Sequence, residues 1–416
     1  MFKGKFEDIV LPHEGFLRGP FGSALKKSLF VPKAEDTYKV YEQSVVLQED
    51  KTLGEYYISK KYFEENLSRF EVKSGDFLVS CSGVNYGAIY QLKGEIDKGV
   101  INQALLRIRI NPEIVDENYF LYYFRAYIVK KITGGTGDST IPNFPPMSVV
   151  KGIDIQLPDI NIQRKIGKIL AKIDDKINNN NTINAELESI ARTIYDYWFL
   201  QFDFPNENGR PYKSSGGEMV WNNELKREIP KGWSVGYLSE FAFVTMGSSP
   251  KGESLNEEKD GIIFYQGKTD FGYRFPTVRM YTNAPIRYAE VNDILLSVRA
   301  PVGDMNIADE KCCIGRGLAA IRCEYQSFLF YLMLANQYQF EKYNSNGTTF
   351  GSITKDDLFG LRIIIPDEKT IKEFDSKIKD FDKIIFNNEK ENQELVSMRD
   401  FLLPLLMNGQ VGFKEC

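Results

Sequence analysis

The chain has 416 residues, 43% hydrophobic and 26% charged, with a formal net charge of −5 at pH 7. That length supports two or three domains, each with its own core. No apolar run reaches the roughly 20 residues that cross a bilayer, the N-terminus MFKGKFEDIVLPHEGF lacks a signal-peptide pattern, and the acidic balance argues against a chain that holds nucleic acid by bulk charge alone.

In chain order, residues 1 to about 150 read as short strands and Gly-rich turns, with runs such as FLVSCSG (77–83), AIYQL (88–92) and ALLRIRI (104–110) and one helix near 117–131. Next comes GTGDSTIPNFPPMSVVKGIDIQLPD (135–159), which closes on Pro158-Asp159. The dipeptide is a stop-and-cap signal for the long helix that follows. Apolar residues then step by three and four through Ile166, Leu170, Ile173 and Ile177, continue through Asn180 and Asn184, and resume at Leu187, Ile190 and Ile194. Steps averaging about 3.5 are those of a coiled-coil seam.

Residues 232–350 return to strand grammar, with DILLSVRA (293–300), LAAIRC (318–323) and a helix near 326–342. GTTFGSITKDDLFGLRIIIPD (347–367) leads into a second seam: Ile371, Phe374, Ile378, Phe381, Ile385, Asn388, Asn392, Leu395, Met398 and Leu402. The two seams match at a constant offset of 208, as Gly152 and Gly360 or Asp174 and Asp382 show, and FLYY (120–123) meets FLFY (328–331) in the same register. This is an internal duplication. Each helix runs about 35 to 40 residues, roughly 50 to 60 Å at 1.5 Å per residue. The seam asparagines fit either a break within NNNN (178–181) or polar pins that fix register.

The strand-rich segments share a frame too: GDFLVSCSGVNYG (75–87) resembles NDILLSVRAPVGD (292–304), and INQALL (101–106) sits where IGRGLA (314–319) sits. Their loops diverge, which suits a repeated scaffold reading two different things.

Signals for catalysis are lacking. Five cysteines, Cys81, Cys312, Cys313, Cys323 and Cys416, form no Cys-x-x-Cys pair and adjoin no His cluster. A disulfide framework and a zinc site are therefore unexpected, and a reducing cytoplasm fits. The single histidine, His13, reads as a turn residue rather than a general base. GGTGDST (134–140) lacks the P-loop lysine, NFPP (143–146) reads as a loop, and the pairs Asp174-Asp175 and Asp356-Asp357 read as solvated charge or caps.

Base edges are read by Arg, Lys, Asn, Gln or Ser presented on loops. In the first segment the candidates are Ser23, Lys26, Lys27, Tyr41, Gln43, Ser80, Ser82, Asn85, Asn102 and Gln103. In the second they are Ser248, Lys251, Gln266, Lys268, Arg274, Arg279, Ser297, Arg299 and Arg316. Arg299 and Arg316 have the geometry to fork onto guanine, and Gln43, Asn85 and Gln103 to pair with adenine.

GPFGSALKKS, YKVYEQ, YYISKKYFEE and VKSGDFLVSCSGVNYG, the linker YWFLQFDFPNENGRPYKSSGGEMVWNNELKREIPKGW (197–233) and the ending LLPLLMNGQV together resemble the specificity (S) subunits of type I restriction-modification enzymes. The resemblance implies an α+β fold in which two mixed α/β target-recognition domains are separated by two long helices forming an antiparallel coiled coil, with a pseudo-twofold internal repeat. The implied layout is recognition domain 1 at 1–150, first spacer helix at 151–200, linker at 201–232, recognition domain 2 at 233–358 and second spacer helix at 359–416. It further implies double-stranded DNA with a bipartite target as ligand, two methyltransferase subunits and motor-nuclease subunits as partners, and no membrane. S-adenosylmethionine, ATP and Mg would belong to those partners, with no cofactor on this chain and no catalysis of its own. A coiled-coil adaptor that binds only protein, and a stand-alone enzyme, are the alternatives. The first module starts so near Met1 that its opening strand is expected to be short.

Overall fold

A computed structural model describes residues 1–134, 144–341, 343–344 and 351–413. GTGDSTIPN (135–143), SNGTTF (345–350) and Cys416 lie outside the described residues. The chain divides into two compact units, Met1–Lys176 with the stretch from Leu395 onward, and Ile177–Glu394.

In the first unit, strand β1 (Phe2–Lys5) pairs antiparallel with β9 (Asp154–Leu157), and all four residues of each are in register. A four-stranded antiparallel sheet has the order β2 (Phe16–Arg18), β8 (Leu105–Ile108), β5 (Phe77–Ser80), β6 (Ile89–Gln91). A second sheet places β3 (Thr37–Tyr41) between antiparallel β4 (Tyr57–Ser59) and parallel β7 (Gly99–Ile101). Alternation along β8 explains why there are two cores. Leu106 and Ile108 face a cluster with Phe77, Phe120 and Phe124, while Leu105 faces Val40, Ile58 and Val100. Helix α1 (Glu117–Tyr123) begins where the Asp116 carboxylate accepts the Tyr119 N–H at 3.0 Å.

The second unit repeats the plan. Strand β12 (Ser234–Tyr237) pairs with β22 (Arg362–Ile365), following the hairpin of β10 (Met219–Asn222) and β11 (Arg227–Pro230). Its four-stranded sheet is β13 (Phe243–Met246), β21 (Leu318–Arg322), β18 (Ile294–Ser297), β19 (Met305–Ile307). Its other sheet again sets β15 (Ile262–Tyr265) between antiparallel β16 (Met280–Thr282) and parallel β20 (Cys312–Ile314), and adds the edge strands β14 (Leu255–Asn256) and β17 (Tyr288–Ala289). An ion pair recurs with the strands: Arg109 to Asp76 and Arg322 to Asp293, each at 2.7 Å. The opening strand is therefore not abbreviated, since β1 and β12 make the same four-residue pairing.

Helix α2 (Ile160–Tyr195) is continuous through NNNN, which removes the reading of a break there. Helix α3 (Gln326–Ala335) carries Phe328 into the second core as α1 carries Phe120 into the first. Helix α4 (Glu368–Met407) starts at Asp367, whose carboxylate accepts the Thr370 N–H at 3.0 Å.

In the first unit Ile166, Leu170 and Ile173 are buried and Leu395 is half-buried; in the second Phe374, Ile378 and Ile385 are buried, while Ile177, Leu187, Phe381 and Asn388 are half-buried. Within the second unit Asn180 donates to Glu391 (2.8 Å) and Asn392 (3.0 Å), and Asn392 donates to Asn181 (2.9 Å). Asn184 donates to Glu389 (3.0 Å) and accepts from Asn388 (2.8 Å). Numbers rise along one helix as they fall along the other. The spacing misplaced two positions: Ile190 and Met398 are 48% and 51% exposed. After Leu187 the inward face passes instead to Ala191 and Tyr195, steps of four that follow the true α-helical period.

Candidate nucleic-acid interface

Antiparallel order brings the end of β2, the start of β8 and the end of β5 to one edge, and the end of β3 joins them because β3 and β7 are parallel. Backbone hydrogen bonds fasten this convergence: Gly19 N to Leu105 O (2.9 Å), Asn102 N to Tyr41 O (3.0 Å) and Cys81 N to Ala104 O (2.8 Å). The second unit repeats each one, as Gly247 N to Leu318 O (2.9 Å), Gly315 N to Tyr265 O (2.8 Å) and Val298 N to Gly317 O (2.8 Å). The approach demands glycine, since a Cβ on Gly19 would lie 1.8 Å from Asn102 O and one on Gly247 2.2 Å from Gly315 O. By this register Gln103 and Arg316 hold the same position in the two modules.

In the first module Ser23, Lys26, Lys27, Asn85 and Gln103 are exposed. Gln103 lies against Gly22, where a Cβ would sit 2.4 Å from its Oε1. Gln43 braces the loops, its Nε2 donating to Ser80 Oγ (2.7 Å) and Ser82 O (2.6 Å), while Ser82 Oγ donates back to Gln43 Oε1 (3.2 Å). Asn102 turns its side chain onto the Ala104 N–H.

In the second module Arg299 and Arg316 are exposed, and neither guanidinium has a bond or ion pair among the described residues. The Arg316 backbone is set by Ser249, which accepts its N–H at 3.1 Å and donates to Gln266 Oε1 at 3.2 Å. Ser248 is half-buried. Lys251, Lys268 and Arg279 are exposed but already face Glu253 (3.9 Å), Asp304 (2.6 Å) and Asp270 (2.5 Å).

Four candidates point inward. Tyr41 is fully buried and donates to Asp97 O at 2.8 Å. Ser80 and Ser297, equivalent in register, are buried because strand-end alternation turns them into the fold, and Ser297 Oγ donates to Pro301 O at 2.9 Å. Arg274 is 2% exposed, donates to Asp382 at 2.6 Å, stacks 3.7 Å over the Phe330 ring and lies 3.6 Å from Glu188. It ties its module to both long helices. Burial pushes the Asp382 carboxyl up, against the pull of Arg274 and Ser327. Asp174 corrects the reading of solvated charge: it accepts from Tyr122 (2.6 Å) and Arg399 (2.8 Å).

Two residues at this edge carried no motif signal. Ser249 sets Arg316, and buried Asp270 accepts the Gln266 N–H at 2.7 Å while holding Arg279. An Asp three or four residues after a Gln-Gly turn is the one hint the chain gave. Burial pushes the Cys81 thiol up to about 12. No cluster of three or more His, Cys, Asp or Glu side chains fit to hold a metal occurs among the described residues, and no helix among them is long and apolar enough to cross a membrane.

The family model for the type I restriction modification DNA specificity domain matches twice, at residues 22–189 and 230–396. A putative type I restriction enzyme MjaX specificity subunit from Methanocaldococcus jannaschii is 31% identical over 363 residues, covering 84% of this chain and 82% of that one. The MjaIX specificity subunit of the same organism is 28% identical over 383 residues, covering 87% and 83%. The crystal structure of a type I restriction-modification S subunit from M. genitalium shares the fold, with a TM-score of 0.62 at 16% identity over 99% of this chain and 96% of that one. The chain belongs to the specificity subunits of type I restriction-modification systems, the DNA-recognising, non-catalytic members of those complexes, in which catalysis lies with partner subunits.

Proposed function

We propose that each module reads one half of a bipartite double-stranded DNA target through the edge where its four loops meet. The observation that carries this is the loop edge built twice on the same backbone bonds, with Gln103 in one copy and Arg316 in the other. A glutamine carboxamide matches adenine N6 and N7, and a guanidinium matches guanine O6 and N7. The reading side chains are drawn from Ser23, Lys26, Lys27, Asn85, Gln103, Lys251, Gln266, Lys268, Arg279, Arg299 and Arg316. Gln43, Ser82, Asn102 and Ser248 support them.

The paired asparagines of the second unit support an antiparallel coiled coil between α2 and α4. With the duplicated modules this gives a pseudo-twofold frame of two recognition domains (1–150 and 233–358), a linker (201–232) and two spacers (151–200 and 359–416). Two methyltransferase subunits dock along the spacers and the motor-nuclease subunits join through the complex, in the cytoplasm. A net charge of −5 fits a subunit whose partners share the phosphate contacts.

Methylome sequencing of cells carrying this chain with its methyltransferase subunits tests the reading. Arg316→Gln should relax or change one position of a single half-site, roughly 1–3 kcal/mol of discrimination, and leave the other half-site intact. Full methylation of an unaltered motif in this variant, and in variants at Gln103, Gln266 and Arg299, would contradict it.

A further inference from the structure

Arg107 lies on β8, one of the two inner strands of the first module's four-stranded sheet, opposite Leu17 on β2 and Leu78 on β5. It is 3% exposed. Its Nη1 donates to the carbonyls of Arg69 and Glu71, and its Nε has no partner among the described residues. No carboxylate there forms an ion pair with it. Of the nearby acids, Asp76 and Glu14 are held by Arg109 at 2.7 Å and 2.5 Å, while Glu71 acts on Arg107 at longer range without an ion pair among the described residues. Burial lowers the Arg107 pKa and Arg109 beside it adds to that, against a weaker pull from Asp76, Glu14 and Glu71. A buried charge ordinarily has a counter-ion.

The scaffold itself does not call for this charge. By strand register the same position in the second module is Ala320, buried opposite Thr245 and Leu295. Arg107 also lines a cleft of about 480 Å³ together with His13, Arg69, Lys73 and Arg109. Arg69 and Lys73 are exposed and make no ion pair among the described residues. The carboxylates on this cleft are Glu14, already on Arg109, and Glu71. The cleft sits toward the end of β8, whereas the reading loops gather at its start.

We propose that this cleft is an oxyanion site that takes a phosphate group, with Arg107 as its buried counter-charge and Arg69 and Lys73 at its rim. The phosphate comes either from a duplex backbone or from free anion, and the test separates the two. The full chain is melted in inorganic phosphate and in chloride at matched ionic strength. Free-anion binding raises the midpoint by a few degrees in phosphate, and Arg69→Gln with Lys73→Gln, at exposed positions, removes that rise. If the phosphate is the duplex's, the rise is absent and the double variant instead lowers the salt slope of DNA affinity by about two. Arg107→Met is judged only by the difference phosphate makes to its own melting, so an altered fold does not mask the answer. Wild-type melting identical in both anions with a salt slope unmoved by the double variant overturns the proposal. So does a phosphate rise that survives in both variants.

Discussion

Asp174 and Asp382 stand at the same position of the two repeats, but their cations come from different places. In the first unit Asp174 takes Arg399 from helix α4 and a hydroxyl from Tyr122. In the second, Asp382 takes Arg274 from a module loop and a hydroxyl from Ser327. The two carboxylates are equally exposed, Asp174 at 22% and Asp382 at 21%, but the Arg399 side chain is 27% exposed and the Arg274 side chain 3%. Duplication preserved the carboxylate and the Arg109–Asp76 type of strand pair, while each module acquired its own way of fastening to the helices.

That difference predicts unequal costs. Arg274→Met leaves the half-buried Asp382 without its cation and should destabilise the second unit by about 3 kcal/mol, read by denaturant unfolding at pH 7. Adding Asp382→Leu should restore most of the loss, because an apolar pair of similar volume replaces a buried ion pair with little penalty. The single variant's deficit should also shrink on acidification. A carboxyl whose folded pKa lies above its unfolded value supports folding when protonated and loses that support as pH rises through the folded value, and burial already raises Asp382. A deficit that is constant with pH would mean that Arg274 acts through its stacking on Phe330 alone. Arg399→Ala, at the more exposed pair, should cost only about 1 kcal/mol.

What could be read from the chain follows from how local each determinant is. The Pro-Asp starts of both long helices, the 208-residue offset and the seam through Ile166, Leu170, Phe374 and Ile378 depend on near neighbours in sequence, and so were legible. Ile190 and Met398 were misplaced because a fixed three-four alternation drifts from the 3.6-residue period. The candidate loops were found by their glycines, but side-chain direction was not. Ser80 and Ser297 turn inward by the alternation of the strands they end, which only register reveals. Arg274 looked like any loop arginine, because its partners, Glu188 and Asp382, lie 86 and 108 positions away.

Lengthening the spacers tests most directly whether the two long helices set the gap between the half-sites. Four residues inserted after Asn181 in α2, and four at the matching place after Glu389 in α4, add about 6 Å to each helix, close to two base-pair rises of roughly 3.4 Å. Methylome sequencing should then show both half-sites unchanged and the gap between them altered. Methylation retained at the original gap would show that these helices do not set the distance between the two reading modules.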